Sequence, residues 1–185
     1  VHDIAVDIGL GHVQSVDDWI LDAAFVPDSQ KYNHVAGLTT AHNALWMAQL
    51  DLIPDGSSTG SSTLKRAVSG SNCILYSAHI KWLSESHCLI ASGTAFGDVV
   101  LWSAFFDGYP DLARSQIHYT FSAHEGSVFG VQISTPLNLP DEENTIRLLA
   151  SCSDDRTVRL WDISDLSAES QSLTQVQRDT GFGSR

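Results

Sequence analysis

LLASCSDDRTVRLWD, Leu148 to Asp162, sets two short apolar runs on either side of an Asp-Asp-Arg turn and closes on a Trp-Asp pair. Each flank is rich in β-branched and aliphatic side chains, and the polar residues between them are what a tight chain reversal needs, so the stretch predicts a β-hairpin. Two adjacent aspartates at one turn raise a question of direction. One can face solvent, while the other needs a buried partner.

Working outward, the hairpin belongs to a repeat. Trp46, Trp102 and Trp161 end the apolar runs NALW, DVVLW and TVRLW, at separations of 56 and 59 residues. LYSAHIKWL and TFSAHEGSV share Ser-Ala-His, and His79 and His124 lie 45 residues apart, within the usual period of a four-stranded propeller blade. Gly11-His12 precedes DWILDAAFV in the same manner. The variable spacing falls in two polar segments, the Ser/Gly-rich 55–72 and TPLNLPDEENT at 135–145, both predicted as surface loops.

The strand pattern recurs three times. The last unit offers SVFGVQIS, IRLLASCS and TVRLWDIS. The middle unit offers IKWLSES, CLIASGT, DVVLWSAF and IHYTFSA, and the first offers WILDAAFV, HVAGLTT, ALWMAQL and CILYSA. No stretch has helical periodicity over ten residues. The predicted class is all-β, about three four-stranded blades of a larger propeller, because a small sheet cannot bury both faces without stacked neighbours. The predicted organisation is 1–12 as the end of a preceding blade, 17–78 and 79–123 as complete blades, 124–163 as an incomplete one, and 164–185 as a polar loop or tail. The first residue is Val, which points to a piece of a longer chain.

HEGSVFGVQIS followed by LLASCSDDRTVRLWD resembles the WD-repeat family over nearly a whole repeat. The middle unit resembles it in LIASGTAFGDVVLW but has Ser103 in place of the final Asp, and the first unit resembles it weakly, with Met47 after its Trp. The resemblance implies a hydrogen-bonded set of His124, Ser151, Asp155 and Trp161, with Asp155 facing inward and Asp154 facing solvent. An imidazole suits this, since it can donate to a carboxylate and accept from a hydroxyl. In the middle unit it implies a partial set of His79, Ser92 and Trp102, left open by Phe96 at the position of Asp155, with packing expected to compensate. The family's blade tops carry binding function, which makes Phe96, Glu125, Asp154 and Arg156 candidate partner-binding residues, with Asn43, Gly97 and Gly126 beside them. A closer resemblance, over 17–166, is to the WD-repeat subunits that partner the cytoplasmic tRNA wobble-nucleotide 2'-O-ribose methyltransferase. It implies a non-catalytic scaffold without a cofactor of its own, beside a separate chain that uses S-adenosylmethionine. A general WD-repeat adaptor in trafficking or ubiquitin-ligase assembly is the alternative.

Composition narrows the partners. The net charge of −12 comes from 22 acids against 10 bases, scattered singly apart from Lys65-Arg66, so this segment by itself should repel a phosphate backbone and reach tRNA only through the full complex. Cys73, Cys88 and Cys152 are odd in number without C-x-x-C spacing, which fits a reducing, cytoplasmic setting. The run Cys88–Phe106 has the length of a membrane span, but Gly93, Gly97 and Asp98 interrupt it and favour two buried strands and a turn. Ser151, His124 and Asp155 could be arranged as a catalytic triad, yet a nucleophile must be exposed and Ser151 lies within an apolar run. His87-Cys88 and His34 with His42 are poorly spaced for zinc. Ser57, Ser58, Ser61, Ser62 and Thr63, upstream of Lys65-Arg66, are candidate phosphorylation sites.

Overall fold

The computed structural model describes residues 16–27, 35–50, 62–106, 113–122, 124–138 and 145–166. Within them the chain forms strands and no helix. β1 (Ile20–Phe25), β2 (Val35–Thr40), β3 (Ala44–Leu50) and β4 (Ser62–Ser69) make one antiparallel sheet in that order. β5 (Leu75–Ser84), β6 (His87–Thr94), β7 (Asp98–Phe106) and β8 (Ala113–Ser122) make the second. β9 (Val128–Ile133), β12 (Leu148–Ser153) and β13 (Val158–Asp162) make a three-stranded third sheet, while β10 (Leu137–Asn138) and β11 (Thr145–Ile146) form a small ribbon. The predicted hairpin pairs Leu149 with Trp161 and Ser151 with Arg159.

Two boundaries differ from the sequence expectation. The fourth strand of the first sheet is β4, inside the predicted Ser/Gly loop, and not CILYSA. Its exposed Lys65 and Arg66 suit an outer strand, where charge discourages further pairing, and the same residues conceal it from an apolar count. LYSAHIKWLS is a single long strand, β5, so the second blade begins at Leu75 and not at His79. The expected loop at 135–145 carries β10 and β11 at its ends. The expected strand and Gly-His at 1–12, Ser57, Ser58 and Ser61, and the tail beyond 166 lie outside the described residues.

The turn between the second and third strands repeats in each sheet, and its left-handed position fixes the register: Asn43 at φ 57°, Gly97 at φ 90° and Arg156 at φ 69°. Trp102 and Trp161 each follow this position by five residues. In the first sheet that place belongs to Ala48, so Trp46 is not the counterpart of the other two.

The sheets pack face to face around two cores. Val35, Leu45 and Met47 of the first meet Ile80, Ile90, Trp102 and Phe106 of the second. Leu89, Val99 and Leu101 of the second meet Val128, Ile133 and Leu149 of the third. Every residue of β6 is buried, since this sheet is covered on both faces. That accounts for the continuous apolar run at 88–106: the two inner strands of the middle blade, β6 and β7, present no polar face to water. At about 1.5–3 kcal/mol per large buried side chain, the cores lie between blades, and no blade holds one by itself.

First strands also join directly. Asp22 accepts from the Ile80 amide at 2.7 Å, and the Trp82 indole donates to the Ala24 carbonyl at 3.2 Å. At the next joint, Ser77 donates to the Val128 carbonyl at 2.9 Å. A Cβ on Gly93 would lie 2.3 Å from Ser77 Oγ and 2.9 Å from the Val128 oxygen, so only glycine permits this approach. The architecture is a partial β-propeller of three blades.

Candidate functional site: the blade tops and their polar joints

The loops that precede each first strand and the turns between second and third strands lie together on one face, held from below by polar groups. In the third blade, His124 Nε2 lies 2.9 Å from Ser151 Oγ, and the Trp161 indole N–H reaches that oxygen at 3.2 Å. His124 Nδ1 lies 2.9 Å from Asp155 Oδ2. The directions are mutually consistent for a neutral imidazole: Trp161 donates to Ser151, Ser151 to Nε2, and Nδ1–H to the carboxylate. Asp155 also accepts from the Glu125 amide at 3.1 Å and from the Thr157 amide and hydroxyl at 2.8 and 2.7 Å. Burial works against its charge, but these bonds hold the carboxyl well below the usual carboxylate range. The four residues that the resemblance implies thus meet at one joint, and Thr157 joins them. Asp155 faces in, while Asp154 is exposed and bends over Gly126, where a Cβ would lie 1.8 Å from its Oδ1.

The second blade differs from expectation. Ser92 and Trp102 are together, at 3.1 Å, but His79 is not with them. The shared Ser-Ala-His tripeptide falls inside β5 in the second blade and ahead of β9 in the third, so its two histidines are not equivalent. His79 Nδ1 instead accepts the Ile133 amide at 3.1 Å, bridging to the third blade, and burial lowers its pKa. The vacant place is filled from the preceding blade. Asn43 Oδ1 accepts from Ser92 Oγ at 2.8 Å and from Trp102 Nε1 at 3.1 Å, while Asn43 Nδ2 donates to the Ser71 carbonyl at 2.9 Å. An amide that both accepts and donates closes the set without a carboxylate at position 96.

Asn43, expected on the exposed top, is therefore 1% exposed and part of the joint. Its place in a turn was legible; its reach into the next blade was not. Phe96, for which both packing in place of the carboxylate and an exposed partner-binding role were expected, is 76% exposed and so does not pack. Its backbone is held by the Thr94 hydroxyl, which accepts from the amides of Phe96 and Asp98 at 3.2 and 2.9 Å. Glu125 and Arg156 are exposed, and Gly97 is buried.

The first blade reverses the order of the His–Asp pair. Asp18 precedes β1 and accepts the His42 amide and faces its ring Nδ1, both at 3.0 Å, and accepts the Trp19 amide at 2.9 Å. Burial pushes this carboxyl up, but the Thr40 hydroxyl and the His42 and Trp19 groups hold it down at about 2. One further cluster escaped the sequence reading. Ser103, at the position of the family's Asp, bridges His87 Nε2 at 2.8 Å and His118 Nε2 at 2.7 Å. Burial, aided by His118 and Arg147, lowers His87 to about 4, and burial lowers His118 as well.

The chemistry these sets support is positional. Ser151 is 2% exposed beneath Trp161, with its hydroxyl committed to His124. Among the described residues no three His, Cys, Asp or Glu side chains converge as metal ligands, and no helix is long and apolar enough to cross a membrane.

A family model described as "WD domain, G-beta repeat" matches residues 115–162. That span runs from β8 through β13, so the sequence repeat takes the last strand of one blade with the first three of the next and ties the two sheets covalently. The chain is also similar to the tRNA (34-2'-O)-methyltransferase regulator WDR6 of Drosophila melanogaster, at 28% identity over 152 residues. The alignment covers 79% of this chain and 14% of that protein, so the chain spans about a seventh of the relative's length.

Proposed function

We propose that this chain is part of a non-catalytic WD-repeat scaffold that supports 2'-O-ribose methylation of the tRNA wobble nucleotide by a separate methyltransferase chain in the cytoplasm. The observation that carries the reading is the similarity to a protein named as regulator of that reaction, along most of this chain. Two physical features support it. The Ser, His and Asp groups of the third blade are spent on holding loops together, and the blade-top residues Phe96, Glu125, Asp154 and Arg156 are left exposed for a protein partner. The charge of −12 directs phosphate contacts elsewhere in the assembly, so this segment contributes protein contacts and tRNA is met by other surfaces.

Native purification of the full-length protein tests this, with wobble-nucleotide ribose methylation measured in cells with and without it. Near-stoichiometric recovery of a methyltransferase chain, and loss of the modification on removal, are expected. Recovery of coat or ubiquitin-ligase components with unchanged tRNA methylation would overturn it in favour of a general adaptor.

A further inference from the structure

The blade-top loops are joined by one continuous line of hydrogen bonds across all three blades. Trp19 O accepts the Ala41 amide at 2.9 Å, Ala41 O accepts the Leu75 amide at 2.8 Å, and Ile74 O accepts the Ala95 amide at 2.9 Å. Ala95 O then accepts the Ser127 hydroxyl at 3.0 Å, and Ser127 O accepts the Asp154 amide at 3.2 Å. First-strand starts thus alternate with second-turn residues along a rim whose backbone is fixed before any partner arrives. Preorganisation of this kind lowers the ordering cost of binding.

What the rim presents is not an ordinary polar loop surface. Trp19 is 76% exposed, Ile74 48% and Phe96 76%, each beside a backbone bond of the line. Tyr76 and Phe129, one residue inside the first strands of the second and third blades, are half-exposed and stack at 5.3 Å. Apolar side chains grouped on a fixed surface mark an interaction site, whereas isolated ones do not. Acids flank them: Asp17 at the Trp19 end, and Glu125 and Asp154 at the other, all exposed. Among the described residues, Arg156 is the sole Lys or Arg in the loops and turns of this rim.

We infer that the rim from Trp19 through Phe96 to Asp154 is the docking surface for a cationic polypeptide segment, one that seats an aliphatic or aromatic anchor on Phe96 and Ile74 and directs Lys or Arg at Glu125, Asp154 and Asp17. The inference deepens the scaffold reading and rests on it for the expectation that the partner is a protein. The surface charge selects against RNA and acidic segments, and exposed aromatic side chains on a fixed backbone supply the anchor contact.

The test measures fluorescence anisotropy on the full-length protein with a pool of labelled peptides, each carrying one Leu, Ile, Phe, Tyr or Trp between two Lys-Arg pairs. Controls replace the bases by Glu or the anchor by Ser, and a single-stranded RNA oligonucleotide serves as competitor. Saturable binding of the basic pool is expected, weakened roughly tenfold or more by Phe96→Ser. Glu125→Lys with Asp154→Lys should reverse the preference toward the Glu-flanked peptides. The substituted side chains are exposed, and circular dichroism checks that the variants fold. Absence of binding by the pool, equal binding by wild type and Phe96→Ser, equal binding of the Ser-anchored control, or displacement by RNA would each overturn the docking surface. Methylation and co-purification are scored separately. A lost surface with retained methyltransferase partnership defeats only this inference, and peptide binding with unaltered tRNA methylation defeats only the scaffold reading.

Discussion

Asn43→Ala should open the joint between the first and second blades. The substitution removes the acceptor of the Ser92 hydroxyl at 2.8 Å and the donor to the Ser71 carbonyl at 2.9 Å, and leaves that carbonyl only the weaker Cys73 thiol at 3.4 Å. Trp102 keeps its bond to Ser92 at 3.1 Å. Each group deprived in this way costs about 1–3 kcal/mol, and an alanine at the left-handed φ of 57° adds about 1 kcal/mol, for a total of about 4 kcal/mol. Asn43→Gly adopts the turn freely and isolates the hydrogen bonds, at about 3 kcal/mol. Hydrogen-exchange mass spectrometry of the full-length protein reads this locally. At about 1.4 kcal/mol per decade, the slow amides of β6 and β7 should exchange several-hundredfold to a thousandfold faster in Asn43→Ala, and roughly a hundredfold faster in Asn43→Gly. If Asn43→Gly matches wild type, the amide bonds contribute nothing and the residue is present for its turn alone. If both variants match, the joint does not depend on Asn43.

Other expectations follow from the same contacts. Gly93→Ala forces a Cβ to within 2.3 Å of Ser77 Oγ and 2.9 Å of a backbone oxygen, so it should destabilise the joint between β5 and β9 by about 2–3 kcal/mol, seen as faster exchange in those strands with the first blade unaffected. His124→Ala deprives Ser151 of its acceptor in a buried place and should cost about 2 kcal/mol by urea unfolding, while Glu125→Ala, with an exposed side chain, should leave the midpoint unchanged. Mild acid should destabilise the protein. The pKa values of His79, His87 and His118 are all lowered in the fold, so the unfolded chain takes up protons first; their stabilisation is complete above the ordinary histidine value of 6.5 and is lost as pH falls toward about 4 for His87. Melting temperature should fall steadily over that window, and a flat or rising profile would show that the Ser103 bridge tolerates charged rings. Asp18, lowered from 3.8 to about 2 in the fold, keeps its full stabilisation through that window and loses it as pH falls from about 3.8 toward 2.

The repeat unit at 124–162 was legible because it is local. One tight turn sets the register of β12 and β13, and that register alone puts Ser151 and Trp161 on one face, with His124 a short loop and one strand away. Sequence therefore determined the all-β class, the hairpin and the face shared by Ser151 and Trp161, while the inward Asp155 and the full third-blade set came from the family resemblance. Tertiary structure decided what depends on a neighbouring sheet. Asn43 lies 49 residues from Ser92 and 59 from Trp102 along the chain, and only the stacking of blades brings its amide to them. The two Ser-Ala-His tripeptides look alike because the eye aligns letters, whereas strand starts assign function, and β5 begins earlier relative to its tripeptide than β9 does. Phe96 became exposed for a related reason: once a buried amide from the preceding blade satisfied Ser92 and Trp102, nothing beneath the turn required a side chain at position 96, and the ring was left to solvent at the rim. Propeller cores form between units, so a sequence specifies each unit while the packing of one against the next decides which polar group completes the other.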